Sequence, residues 1–185
     1  MRLRELAIPG PRIIEAERHE DDRGFFARTY GAAEFVTAGL DPTVAECSVS
    51  FNRARATLRG MHVQKAPFGE CKLVRCTRGR IWDVAVDVRP TSATFGAWVA
   101  SELDADASRA MYIPAGFAHG FITLEPSSEV FYQISQPYNP VASVGFRWDD
   151  AAVRIAWPVE PAVMSEHDRT LPSLAALRSA LEEEK

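Results

Sequence analysis

Residues 80–89 constrain the fold more than any other part of this chain. Trp82, Val84, Val86 and Val88 alternate there with Ile81, Asp83, Ala85 and Asp87. Side chains alternate across an extended strand, so the segment is a β-strand with one wholly apolar face. The other face mixes Ile81 and Ala85 with two carboxylates. Asp83 on that face meets either solvent or an internal lumen, and alternation alone leaves both open. Further strand-like runs lie at 48–52, 72–77, 95–103, 110–113, 118–124, 130–135 and 143–147, with Gly, Pro, Asn and Asp between them. Many short strands at this spacing predict an all-β sandwich, jelly roll or small barrel. Helices are expected only near the ends. One is a short segment at 31–38. The other, at about 173–182, has Leu174, Leu177 and Leu181 at helical spacing after Pro172-Ser173, and the charged residues 182–185 form a solvated end.

The chain has 185 residues, 46% of them apolar and 25% charged. That is long enough for a sizeable core and fits one domain over 1–185. A net charge of −4 gives no electrostatic footprint for nucleic acid. No stretch reaches membrane-spanning length, and the N-terminal residues lack a secretory pattern. Cys47, Cys71 and Cys76 are odd in number and form no C-x-x-C, so buried, inert thiols in a reducing, cytoplasmic setting are expected.

Several polar residues fall on strand faces where they bear on chemistry. His62 lies in Thr57-Leu58-Arg59-Gly60-Met61-His62-Val63-Gln64. Simple parity places Leu58, Gly60, His62 and Gln64 on one face, with Gly60 leaving room beside the imidazole. That room suits a general base, yet a lone histidine on a strand is more often a hydrogen-bonded core residue. His119 stands between Phe117 and Phe121 on one face, either as a buried structural histidine or as a functional one. From pattern alone Lys72 reads by default as an exposed lysine, and Tyr132 more readily as a barrel aromatic than as an acid. Parity also sets Arg59 opposite His62.

In order along the chain, several segments resemble one family. They are Asp22-Arg23-Gly24-Phe25-Phe26, Leu58-Arg59-Gly60-Met61-His62-Val63-Gln64 and Lys72-Leu73-Val74-Arg75. Next come Trp82-Asp83-Val84-Ala85-Val86-Asp87-Val88-Arg89, Phe95-Gly96-Ala97-Trp98 and Ile113-Pro114-Ala115-Gly116-Phe117-Ala118-His119-Gly120-Phe121. Last are Tyr132, Gly145-Phe146-Arg147-Trp148-Asp149-Asp150, Ile155-Ala156-Trp157-Pro158 and Ser165-Glu166-His167-Asp168. From about residue 20 to 172 the chain is similar to the dTDP-4-dehydrorhamnose 3,5-epimerases, cupin-fold enzymes acting on sugar nucleotides.

The resemblance implies a cupin-type jelly-roll barrel, a homodimer, and epimerisation beside a C4 ketone with neither metal nor cofactor. It implies that His62 is the general base and Asp168 its charged partner. Lys72 stabilises the enolate oxygen, and Tyr132 returns a proton on the opposite face. His119 and Asp83 are supporting polar groups. Arg23 and Arg59 meet the diphosphate or nucleotide, Phe26 contacts the substrate, and Tyr138 lines the pocket. Given the parity problem, Arg59 is expected to serve a neighbouring subunit's site; a twisted strand or a bulge are the alternatives.

Three positions depart from the family pattern. Arg28 stands where Glu is common, Glu46 where Gln is common, and Val63 where Tyr usually follows the base. Arg28 and Glu46 either pair with each other or read a different base or sugar. Three other readings compete. A metal-dependent cupin would use Pro114-x-Gly116-x-x-His119, but the chain has only four histidines, at 19, 62, 119 and 167, and no His-x-His. His19 and His167 are expected to be exposed. A non-catalytic sugar-nucleotide-binding cupin would need no base and opposed acid. A ketoisomerase or dehydratase using the same enolate also remains open.

Overall fold

The computed structural model describes residues 1–182; of the expected solvated end, 183–185 lie outside the described residues. Among the described residues thirteen strands and three short helices follow one another. The N-terminal part holds β1 (Arg2–Glu5), β2 (Arg12–Glu15), β3 (Arg18–Asp21), β4 (Gly24–Ala27) and α1 (Ala32–Thr37). The central part holds β5 (Glu46–Asn52), β6 (Leu58–Gln64), β7 (Lys72–Arg78), β8 (Arg80–Asp87), β9 (Trp98–Asp104), β10 (Arg109–Ile113), β11 (Phe117–Thr123), β12 (Ser128–Ile134) and β13 (Ser143–Gly145). The chain closes with α2 (Glu166–Arg169) and α3 (Leu174–Glu182). The alternating runs read from sequence all contain strands. β1 to β4 and the four-residue α2 carry too short a pattern to be read.

A six-stranded sheet, β1-β2-β10-β7-β12-β5, faces a five-stranded one, β13-β6-β11-β8-β9. All pairings between these strands are antiparallel. The sheets form jelly-roll layers and do not close into a continuous barrel. Between them lies one apolar cluster. Ile13, Val74, Cys76, Met111, Ile113 and Val130 come from the larger sheet, and Ile81, Ala85, Leu103, Phe117 and Phe121 from the smaller. Each Val, Leu, Ile, Met or Phe side chain among them, taken fully out of water, contributes about 1.5–3 kcal/mol. Outside the smaller sheet, Val84 and Val86 pack against Leu174 and Leu177 of α3, which explains the helical leucine spacing.

This core fills only part of the space between the sheets. Asp83 shares the inner face of β8 with Ile81 and Ala85 and is fully buried. The lumen is therefore the face it meets. The cysteines divide: Cys76 is buried, Cys71 half-buried and Cys47 exposed, so only one of the three fits the buried expectation.

A third sheet, β3–β4, is a two-stranded ribbon exposed on both faces apart from Ala27. A ribbon of this kind is marginal alone in water.

Candidate active site

Strand β6 does not follow simple parity. His62 pairs with His119 of β11, while Arg59 pairs with Phe121, so three steps of β6 match two of β11. This is a β-bulge, and it reverses the parity between Arg59 and His62. Both side chains line the same cavity of about 580 Å³ between the sheets. Arg59 thus reaches its own subunit's cleft, where Asn52 Oδ1 accepts from its Nε at 2.9 Å. Leu58 and Met61 turn instead to apolar clusters on the other side.

Gly60 is the reason a bulge fits here. Its φ is +128°, and a Cβ would lie 2.5 Å from the Gly120 Cα. Contrary to expectation, it leaves no open space beside the imidazole. It allows two backbones to approach closely, and its amide donates to Asp168 Oδ2 at 3.3 Å.

Asp168 arrives from a distant part of the chain. Val163 bridges Thr57 and accepts from the Leu58 amide, docking that segment beside the start of β6. Ser165 caps α2 by accepting from the Asp168 amide. Asp168 Oδ1 then lies 2.7 Å from His62 Nε2. Burial alone would raise the Asp168 carboxyl, but the His62 hydrogen bond and charge and the Gly60 amide outweigh it and hold the group below its usual value. The carboxylate holds the Nε2 proton, which leaves Nδ1 with the lone pair.

A second pair lies deeper. His119 Nε2 is 2.7 Å from Asp83 Oδ1, and its ring packs edge-on against Tyr132 at 5.9 Å. Tyr132 comes from β12 in the opposite sheet. Burial first, and then the Asp83 charge, push its phenol up, with Arg59 opposing. Lys72, also from the opposite sheet, is largely buried and pairs with Glu70 at 2.9 Å. The default of an exposed lysine does not hold, because Lys72 shares its face with the core residues Val74 and Cys76.

The cleft continues past His62 and Lys72 into an adjoining cavity of about 310 Å³ that includes Glu46, Gln64, Glu70, Tyr138 and Ser143. Glu46 and Tyr138 thus both line the cleft. Glu46 does not pair with Arg28, which instead bonds Glu34 at 2.9 Å. Arg23, Phe26 and Arg28 line neither cavity of this cleft. Arg23 sits at the ribbon turn paired with Asp21, and Phe26 is 71% exposed.

His167, expected in an exposed polar stretch, is exposed but belongs to the site. Its ring centroid lies 6.0 Å from that of His62, and it lines both cavities. Its only sequence signal was adjacency to Asp168. Among the described residues, His62, His167 and Asp168 form one group spaced to hold a metal, with ligand atoms within 4.8 Å. His119, the residue on which a metal reading of the sequence rests, lies outside that group and is committed to Asp83.

The family model described as dTDP-4-dehydrorhamnose 3,5-epimerase matches residues 5–176. A Sinorhizobium fredii protein of that name is 39% identical over 178 residues, covering 96% of this chain and 91% of the relative. The crystal structure of NovW, a 4-keto-6-deoxy sugar epimerase from Streptomyces spheroides, superposes with a TM-score of 0.92 at 35% identity, covering 97% of this chain and 90% of that one. ChmJ, a 3'-monoepimerase from Streptomyces bikiniensis solved with dTDP-quinovose, gives a TM-score of 0.88 at 35% identity, covering 96% and 91%. Matched over nearly its whole length by that model and by such relatives, the chain belongs to the dTDP-4-dehydrorhamnose 3,5-epimerase family.

Proposed function

We propose that this protein epimerises a nucleotide-diphosphate 4-keto-6-deoxy sugar at C3, C5 or both. One observation carries the reading. His62 and Asp168 stand at the smaller sheet, Tyr132 and Lys72 on the larger, and all four line one cleft. A sugar ring between the sheets meets a base on one face and an acid on the other.

His62 Nδ1 takes the proton from the carbon next to the ketone. The C–H electrons form the C–C double bond of an enolate, and the carbonyl electrons move onto the C4 oxygen. Lys72 meets that oxyanion. Asp168 stabilises the imidazolium formed at His62. The Tyr132 phenol, kept protonated by its raised pKa, then donates to the same carbon from the opposite face as the enolate collapses to the ketone. His119 and Asp83 back Tyr132, and Arg59 meets the diphosphate through its guanidinium.

Arg23 and Phe26 fit this reading only through a second copy. Their ribbon is exposed on both faces, and β5 is an unpaired sheet edge with Val49 and Phe51 exposed. Ribbon against edge in a homodimer covers both and carries Arg23 towards the partner's cleft. The three free cysteines accord with a cytoplasmic enzyme. No helix among the described residues is long and apolar enough to cross a membrane.

The test is deuterium uptake at C3 and C5 by NMR. A panel of 4-keto-6-deoxy sugars linked to dTDP, CDP, GDP and UDP is incubated with enzyme in deuterated water. Wash-in at one or both carbons is expected with at least one nucleotide. Absence of uptake across the panel contradicts the proposal.

A further inference from the structure

Gln64 is the last residue of β6, two positions after His62, and it is 5% exposed. Its Nε2 donates to the Phe68 carbonyl at 3.1 Å and to the Pro137 carbonyl at 3.3 Å. Its Oε1 accepts from the Asn139 amide at 2.6 Å. A glutamine amide has two N–H donors and one oxygen, so both donors and the acceptor are in use. All three partners are backbone groups. They lie on two separate loops, 65–71 and 135–142, which one side chain therefore joins.

Both loops supply walls of the cleft. The first carries Glu70, which pairs with Lys72. The second carries Tyr138, which lines both cavities. Tyr138 is 67% exposed, so packing does little to place its ring, and the backbone on either side of it must do so. Pro137 and Asn139 are that backbone, and both are bonded to Gln64. Asn139 extends the tie. Its Oδ1 accepts from the Val141 and Ala142 amides at 3.0 and 3.2 Å, and the Ala142 carbonyl accepts from the Lys65 amide at 3.0 Å.

We infer that Gln64 is a positioning residue: by joining the two loops it fixes Tyr138 in the cleft wall, so that substrate affinity depends on it while the proton transfers do not. The inference rests on the epimerase reading and extends it to what holds the binding wall in place. The three bonds of the Gln64 amide reach neither His62 nor Lys72 nor Tyr132. Ladder pairing holds His62 and Tyr132 on their strands. A loop has no ladder, and its inward carbonyls and amides need a side-chain partner. Without the Gln64 amide, the Phe68 and Pro137 carbonyls and the Asn139 amide turn to water, and the two walls separate.

The experiment has two arms on the full chain. The first is amide hydrogen exchange by mass spectrometry without substrate, comparing wild type with Gln64→Met, which keeps the length of the side chain and removes its hydrogen bonds. Exchange at 66–70 and 136–143 should quicken by about tenfold or more, with β8 and β11 unchanged. The second is deuterium wash-in kinetics with a 4-keto-6-deoxy sugar nucleotide that wild type accepts. Gln64→Met should raise KM about tenfold and leave kcat within about threefold. In a Tyr138→Ala background the same substitution should raise KM by less than about threefold, because its effect passes through Tyr138. Gln64→Glu keeps the acceptor for Asn139 and sets a carboxylate against two carbonyls; it reports the same changes if the methionine variant does not fold.

Exchange at the wild-type rate in both loops of the variant overturns the inference. So does a loss confined to kcat, or a rise in KM that is as large in the Tyr138→Ala background as in wild type. Quickened loops in a protein whose wild type shows no wash-in with any nucleotide would leave the tie standing and remove the epimerase reading. Wash-in by wild type with loops unchanged in the variant would do the reverse.

Discussion

The molecule contains two histidine–carboxylate pairs with the same contact and different surroundings. In each, Nε2 lies 2.7 Å from an aspartate oxygen. The His62 side chain is 37% exposed, and Asp168 behind it is 5% exposed. His119 is 6% exposed and Asp83 is fully buried. Hydrogen bonding alone therefore does not tell the proposed base from the buried pair. Only His62 combines a fixed tautomer with an open path to a ligand. His119 and Asp83 spend the same contact on holding a polar group under Tyr132, where removal of either partner strands the other.

If this contrast is right, the two pairs fail differently on mutation. The largest effect belongs to His62→Ala. It should lower deuterium wash-in by at least about a thousandfold, the upper part of the range for a lost general base. Its unfolding free energy should fall by only about 1 kcal/mol, because the ring is partly in water and Asp168 keeps the Gly60 amide on its other oxygen. His119→Ala should do the opposite in stability. It leaves Asp83 with neither oxygen partnered in a buried site and should cost about 3 kcal/mol in urea unfolding. Equal stability losses in the two variants would break the comparison.

Gly60→Ala sharpens the contrast from the backbone side. A methyl group there meets the Gly120 Cα at 2.5 Å at a φ of +128°. A loss of about 2 kcal/mol is expected. The bulge should shift with it, so that wash-in falls together with stability. Wash-in at the wild-type rate in a folded Gly60→Ala protein would show that the bulge does not place His62.

The smallest effect is a pH dependence. The Asp168 carboxyl is held below its usual value. A group lowered on folding contributes stability above its unfolded pKa, near 3.8, and loses that contribution as pH falls through the lower folded value. Unfolding midpoints compared at pH 6 and pH 3 should therefore drop more for wild type than for Asp168→Asn. An identical drop in both would mean that the His62 contact adds nothing to the folded state.

The alternation in β8 made the all-β layers legible, because period-two burial is written into single strands. The helical spacing of Leu174 and Leu177 did the same for α3. The lumen was not legible from Asp83, since one strand does not say what faces it. Simple parity misplaces Arg59 for a related reason. The bulge depends on Gly120 across the ladder as much as on Gly60, and parity counted within β6 is blind to it. The partnership of His62 with Asp168 spans 106 positions and came from family resemblance; its physical cause is the docking of Val163 on Thr57. His167 escapes a sequence reading because an exposed polar stretch carries no signal of function, and Glu70 because its pairing with Lys72 is visible only in three dimensions.

The central claim is that base and acid act from opposite sheets. Tyr132→Phe in deuterated water tests it most directly. The account predicts that the recovered substrate gains deuterium with its configuration retained, because the solvent-accessible His62 returns a deuteron to the face it deprotonated, while epimer formation collapses. Epimer formed at the wild-type rate by Tyr132→Phe would contradict it, as would exchange and inversion lost in equal measure.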